Sequence, residues 1–575
     1  MARIIIAFAM LLTFGFLQPG YAANRTSEFC PRPPVGSEVQ PPPDLYSSNG
    51  ALNVSMNYYT DVDGRGITRF CFVTSDGLQS PTLHVNPGDI INITLTNMLP
   101  NVPGGPAEIV SNDGTKCGAR TMNATSINMH FHGVNTSPKC HSDEVIHTLI
   151  NSGQTFQYKI KIPANEPPGL YWYHPHIHGV SSVNVQGGAS GAIVVEGIEN
   201  LQPIVAGLPE RILVLRDQPL SFGPTQGSKA PFWDVSINYV PIEYPRFKHS
   251  VIKMQAGKQE FWRIANASAN SILDLELRYD GVAQPFQIVA LDGVPTGSQD
   301  GRRQGRVITR HHLLIPPAGR AEAVITAPAA GVKRAILSTN LIDSGAAGDY
   351  LPARILADVV TTGAGPQLRK MPAPKAAPHQ QRFEDLEDVK VTAQRKLFFD
   401  EVFIQSRQDP PGKRLPSDPP DSDKHMQFFI TVDGQTNQVY DPNNPPAIIT
   451  NRGAVEDWTI ENRTTEDHEF HMHQIHFLLL AVNGKPVPKK DRQFYDTYQV
   501  GYWDGVSQTY PNITVRMDFR GAVTGDFVYH CHILDHEDQG MMAIIRVLPR
   551  GAKAKAARPP LQSASKAART VSAAG

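Results

Sequence analysis

Thr82–Leu95 reads TLHVNPGDIINITL, with apolar and polar residues alternating on both sides of a Pro-Gly turn. Such alternation predicts short strands with one face buried, punctuated by turns. The same period of two recurs at Phe156, Tyr158, Ile160 and Ile162, and Ile193-Val194-Val195 closes this first block. A second block, from about 205 to 360, holds Ile212–Leu215, Phe261-Trp262-Arg263-Ile264 and Ala321–Thr326. Residues 363–395 are rich in Pro, Ala and charge and read as a linker. A third block of short strands runs from 396 to about 548. Few segments have helical periodicity. The 46 Gly and 48 Pro are spread between apolar runs, as turns in an all-β chain would be. The expected architecture is all-β, with three consecutive Greek-key β-sandwiches: 24–200, 201–362 and 396–550.

Length and charge agree. At about 150 residues per domain, 575 residues give three or four domains. With 53 Lys+Arg against 54 Asp+Glu, the net charge of -1 argues against a nucleic-acid surface. Residues 1–23 have the order of a secretory signal peptide: Arg3, an apolar run from Ile4 to Leu17, then Gly20-Tyr21-Ala22-Ala23. That run is shorter than the roughly 20 residues needed to span a bilayer. A soluble protein, secreted or periplasmic, with no membrane span, is therefore expected. Residues 551–575 carry five Lys/Arg and no acid and read as a disordered basic tail.

Four of the five cysteines precede residue 150, which suits two disulfides in an exported protein, with three possible connectivities. Cys117–Cys140 would tie down the loops flanking a histidine motif, leaving Cys30–Cys71. Cys531 stands alone between His530 and His532, where a thiol is a better metal ligand than a structural cysteine.

Twelve of the 20 histidines fall in four clusters. His130-Phe131-His132 and His174-Pro175-His176 have i, i+2 spacing, which puts both rings on one strand face. His178 extends the second row and reads as a supporting or surface histidine. His471-Met472-His473 repeats the spacing, with His468 three residues earlier and His476 three later. The fourth cluster is His530-Cys531-His532, then His536 and Met541, in steps of five from Cys531. Two imidazoles, one thiolate and a weak thioether define a blue-copper electron-transfer site, and His468 can supply the second imidazole. Zinc fits poorly, since a closed tetrahedral site uses four ligands and this inventory is far larger. The middle block has only His249, His311 and His312, without ligand spacing.

These clusters resemble the copper motifs of the three-domain multicopper oxidases, the laccase-like group with cupredoxin-like domains. Gln79–Asp89 resembles the opening of that family's first domain, and Trp262–Asn266 and Leu291-Asp292-Gly293 resemble its second. The resemblance implies four copper ions. The type 1 ion would take His468, Cys531 and His536, with Met541 axial and Met542 as the adjacent competitor. The type 2 ion would take His130 and His471. The type 3 pair would take His132, His174 and His532 on one ion and His176, His473 and His530 on the other. The implied activity is one-electron oxidation of a small phenolic or aromatic amine donor coupled to reduction of dioxygen to water. Glu537 and Asp143, with Glu144 as competitor for the latter, match proton-relaying carboxylates of the family. A cuprous-ion oxidase is the alternative, although the 13 Met form no rich insert. A copper-binding electron shuttle without dioxygen reduction would leave eight histidines without a purpose.

Overall fold

The alternation in Thr155–Lys161 becomes a strand whose Phe156, Tyr158 and Ile160 are buried and whose intervening residues face outward. The computed structural model describes residues 29–102, 117–220, 230–297, 305–375, 382–405 and 424–552. The expected signal peptide and nearly all of the basic tail lie outside the described residues. Among the described residues, six sheets pair as three consecutive cupredoxin-like sandwiches. The first joins a five-stranded to a four-stranded sheet. The second joins eight strands to six, and the third seven to five. Each sandwich has its own apolar core, centred on residues such as Ile93 and Tyr158, Trp262 and Leu275, and Trp458 and Val515. Among the described residues the chain is all-β apart from short helical turns.

The Pro87-Gly88 turn does more than reverse the chain. Thr82–Val85 belongs to the five-stranded sheet and Ile90–Asn97 to the four-stranded one, so the turn carries the chain from one layer to the other. That explains why all four residues of Thr82–Val85 are buried while Ile90–Asn97 alternates.

The domains close on one another through apolar contacts. Leu170, Trp172 and Val194 of the first pack on Ile212, Val214 and Ala265 of the second. Val145 and Ile146 of the first pack on Tyr440, Val528 and Ile544 of the third. Two short helices meet at the junction: α1, Ser181–Gln186, and α2, Leu534–Asp538, joined by Val185, Ala269 and Leu534 from all three domains. Residues 363–395, read as a linker, run packed against the domains where they are described. Met371 joins a core cluster of the second domain, and Phe383 and Leu386 pack with Val455, Leu478 and Phe494. The first strand of the third domain, Ala393–Gln405, begins within the last residues of this stretch. Cys30–Cys71 and Cys117–Cys140 are disulfide-bonded, and Cys531 is a buried free thiol. No helix among the described residues is long and apolar enough to cross a membrane.

Candidate metal centre

Strand parity assembles the histidines. In the first domain His130–His132 pairs antiparallel with Gly169–His174, setting His130 opposite His174. In the third domain His468–Met472 pairs antiparallel with Gly525–Cys531, setting His471 opposite His530 and Phe470 opposite Cys531. The two sheets face each other, and the eight rings of His130, His132, His174, His176, His471, His473, His530 and His532 converge in a space shut off from solvent. The trios His132, His174, His532 and His176, His473, His530 each bring one ligand atom apiece within 4.8 Å of one another. His130 and His471 come together in a third trio with His132. His176 Nε2 and His473 Nε2 lie 3.2 and 3.1 Å from His530 Nε2.

The rings are held from behind and left open in front. His130 Nδ1 lies 2.9 Å from Asp143 Oδ1, His174 Nδ1 2.9 Å from the Pro175 carbonyl and His530 Nδ1 2.8 Å from the Cys531 carbonyl. Nitrogens His130 Nε2, His132 Nδ1, His174 Nε2, His471 Nε2, His473 Nδ1 and both of His532 are buried with no hydrogen-bond partner. Buried polar atoms without partners are costly and rare. Here they are the donor set a metal needs. Burial, reinforced by neighbouring rings at most positions, pushes these imidazoles well below their ordinary range, to about 3 for His174 and about 4 for His530. The rings are therefore neutral, the form that binds a metal ion.

A second group lies on the other side of the strand that carries Cys531. Cys531 Sγ is 3.6 Å from His468 Nδ1 and 3.8 Å from His536 Nδ1, and the two nitrogens are 3.0 Å apart. Met541 shares a core cluster with Cys531. Met542 points away, into the cluster formed by Val145, Tyr440 and Ile544. Burial pushes the Cys531 thiol up, so loss of its proton needs a metal. Imidazole and thiolate together suit copper. At the outer edge, His536 Nε2 is 3.4 Å from Glu466 and His468 Nε2 is 3.4 Å from Glu401. Burial and the neighbouring Glu401 push Glu466 up to about 9.

Both expected relay carboxylates adjoin the eight-histidine site. Asp143 is fully buried and accepts the Phe131 N–H at 3.0 Å and the Gln474 amide at 2.6 Å, besides facing His130. Its neighbour Glu144 accepts instead from the His147 N–H and the Thr148 hydroxyl in its own loop. Glu537 accepts from Ser181 Oγ at 3.2 Å and lies 3.7 Å from His176 Nδ1 and 3.5 Å from His530 Nδ1. Burial and Asp538 push its carboxyl well up. His178 is partly buried with its ring edge-on to Tyr440. His476 sits between Asn135 and the Asp292 carbonyl and points at neither trio.

The sequence reading missed Asp496, fully buried, whose Oδ1 lies 3.2 Å from His132 Nε2. It follows no recognisable motif. Its partners Arg320 and Asp292 come from the middle domain, and only Leu291-Asp292-Gly293 was visible as a motif.

Two stretches of the chain, residues 101–200 and 414–551, match family descriptions that both read "Multicopper oxidase". The multicopper oxidase mco of Staphylococcus haemolyticus is 23% identical over 481 residues, 82% of each chain. A laccase of Bacillus stratosphericus is 23% identical over 424 residues, 68% of this chain and 74% of its own. The solved multicopper oxidase of Campylobacter jejuni, described as a metallo-oxidase, shares the fold with a TM-score of 0.61 at 22% identity, covering 90% of this chain and 96% of its own. Both family matches fall on the domains that carry the histidine clusters. With the buried nitrogens and the thiol, they mark two multicopper oxidase domains in this chain and a copper-dependent oxidoreductase that uses dioxygen.

Proposed function

We propose that the chain is an exported laccase-like oxidase of phenols or aromatic amines that holds four copper ions. His468, Cys531 and His536, with Met541 beside them, would hold one; His130 and His471 a second. His132, His174 and His532, and His176, His473 and His530, would hold the remaining pair. When bound, copper would supply one-electron oxidation at the Cys531 site and, at the eight-histidine site, reduction of dioxygen with four electrons and four protons to two waters. The observation that carries this reading is adjacency. Cys531 contributes to one donor group, while His530 and His532 contribute to two others. A single stretch of covalent backbone therefore joins the place where electrons arrive to the place where they are used.

The residues divide the remaining work. His536 is 8% exposed, while every ring of the eight-histidine site is sealed, so a donor meets the protein at the His536 edge. Trp172 stacks on His174 and helps keep water out. The Asp143 carboxylate orients His130 so that Nε2 faces the site. Glu537, held above the usual carboxylate range by burial and Asp538, keeps a proton within reach of His176 and His530.

A second reading, cuprous-ion oxidation, is favoured by Glu401 and Glu466 at the outer edges of His468 and His536. The two carboxyl groups place oxygen acceptors at that point, for a protonated aromatic amine or a cuprous ion. Steady-state oxygen consumption of the copper-loaded protein with phenols, aromatic amines, a dye and cuprous ion separates the readings. Turnover of phenols and amines with slow cuprous oxidation supports the laccase-like reading. Rapid turnover of cuprous ion alone supports the second. No oxygen uptake with any donor overturns both.

A further inference from the structure

The middle domain contributes no histidine to either donor group, yet it reaches the eight-histidine site. Arg320 lies in Arg320–Thr326 of that domain and is fully enclosed. Its guanidinium forms a two-pronged pair with Asp496 of the third domain, Nη1 to Oδ1 at 2.7 Å and Nη2 to Oδ2 at 2.5 Å. The fork is itself held by the Ala318 and Leu170 carbonyls. Asp292, also of the middle domain, accepts the Arg320 N–H through one oxygen and the N–H groups of Asp496 and Thr497 through the other. Asp496-Thr497 then touches two rings from different domains. Asp496 Oδ1 faces His132 Nε2, while the Asp496 carbonyl, at 2.8 Å, and Thr497 Oγ1, at 3.1 Å, accept from His471 Nδ1.

The consequence is a choice of ring atom. With Nε2–H donated to Asp496, His132 offers Nδ1 to the site, the nitrogen left without a partner. With Nδ1–H donated to the Asp496-Thr497 backbone and hydroxyl, His471 offers Nε2, likewise without a partner. The backbone is shaped around the pair. Gly133, next to His132, has φ +85°, and a Cβ there would lie 2.5 Å from Arg320 Nη2 and 2.7 Å from Asp496 Oδ2.

We infer that Arg320 is a positioning residue: through Asp496 it fixes which nitrogens His132 and His471 present, and so makes the middle domain a working part of the histidine site. The inference rests on the four-copper reading above. A bidentate fork fits this task better than a point charge, and losing an outer partner of a metal-bound histidine typically weakens binding or activity by about 10- to 100-fold.

The test uses the full copper-loaded protein and the variants Arg320→Gln, Arg320→Lys and Asp496→Asn. Copper per chain, the type 2 electron paramagnetic resonance signal and the blue absorption near about 600 nm are measured together. Arg320→Gln is expected to keep the blue band, lose or alter the type 2 signal, bind less copper and consume oxygen roughly tenfold or more slowly. Arg320→Lys should recover part of the signal. Arg320→Gln combined with Asp496→Asn should be little worse than the worse single variant, because both remove one interaction. A native type 2 signal and full copper content in Arg320→Gln would overturn the inference. So would loss of the blue band together with the type 2 signal, which would mark general misfolding. A parent protein that lacks the type 2 signal would sink the functional reading itself, a result distinct from any variant-specific change.

Discussion

Replacing Asp143 with alanine should destabilise the copper-free protein by about 3–6 kcal/mol. The carboxylate is fully buried and satisfies three groups: His130 Nδ1 at 2.9 Å, the Phe131 N–H at 3.0 Å and Gln474 Nε2 at 2.6 Å. Alanine strands His130 Nδ1 and the Phe131 N–H and leaves Gln474 only its longer bond to the Asp143 carbonyl at 3.4 Å, and each stranded buried donor costs about 1–3 kcal/mol. Against this, burial already pushes the Asp143 carboxyl well up, so removing it relieves some desolvation and moves the value toward the lower end. Asparagine keeps an acceptor for His130 and Phe131 but turns a donor toward Gln474, so it should cost about 1–2 kcal/mol. Urea unfolding of the copper-free forms, followed by circular dichroism and tryptophan fluorescence, reads these differences. The copper-loaded asparagine variant should keep its blue colour and turn over more slowly, because an amide that no longer accepts from Gln474 holds His130 less firmly. An alanine variant within about 0.5 kcal/mol of the parent would refute the reasoning.

Four further outcomes follow from other parts of the molecule. Cys531→Ser should abolish absorption near about 600 nm and donor oxidation while histidine-bound copper remains, as read by visible spectroscopy and metal analysis. Met541→Leu should keep the blue band and raise the potential of that copper, because a weak thioether donor to the oxidised ion is lost; a redox titration without a rise contradicts the axial assignment. Cys117→Ser with Cys140→Ser opens a loop with a separation of 23 residues and should cost about 3 kcal/mol in thermal or urea unfolding. Finally, hydrogen bonds from His84 and Arg369 hold Glu196 down to about 2 against the upward push of burial. A depressed carboxyl stabilises the fold above the ordinary value of 4.5 and loses that contribution as pH falls toward 2, by at most about 3 kcal/mol. Glu196→Gln should flatten that limb of the stability–pH curve.

The strand pattern and the donor inventory were legible because both are local. A period of two decides which residues share a face, so His130 with His132, and His530 with His532, could be grouped before any contact was known. The disulfide partners were legible for a related reason: four early cysteines left few pairings, and one choice bracketed a histidine motif. The supporting groups were not legible. Arg320 meets Asp496 across 176 residues, and Gln474 meets Asp143 across 331. Nothing near either member marks the pairing, because it is made by domain closure and not by local periodicity. Composition also hid the role of 363–395. Its Pro and Ala suggest a spacer, whereas Met371, Phe383 and Leu386 anchor it into apolar clusters. The Glu401 and Glu466 carboxylates beside His468 and His536 were missed too, since Glu401 lies on a strand far from its partners in the chain.

The most direct test of the central claim is anomalous diffraction at the copper edge from crystals of the fully loaded protein. Four peaks are predicted: one bounded by His468, Cys531 and His536, and three among the eight histidines of the first and third domains. A single peak at Cys531 with none among the eight histidines, or peaks bound to other side chains, would contradict it.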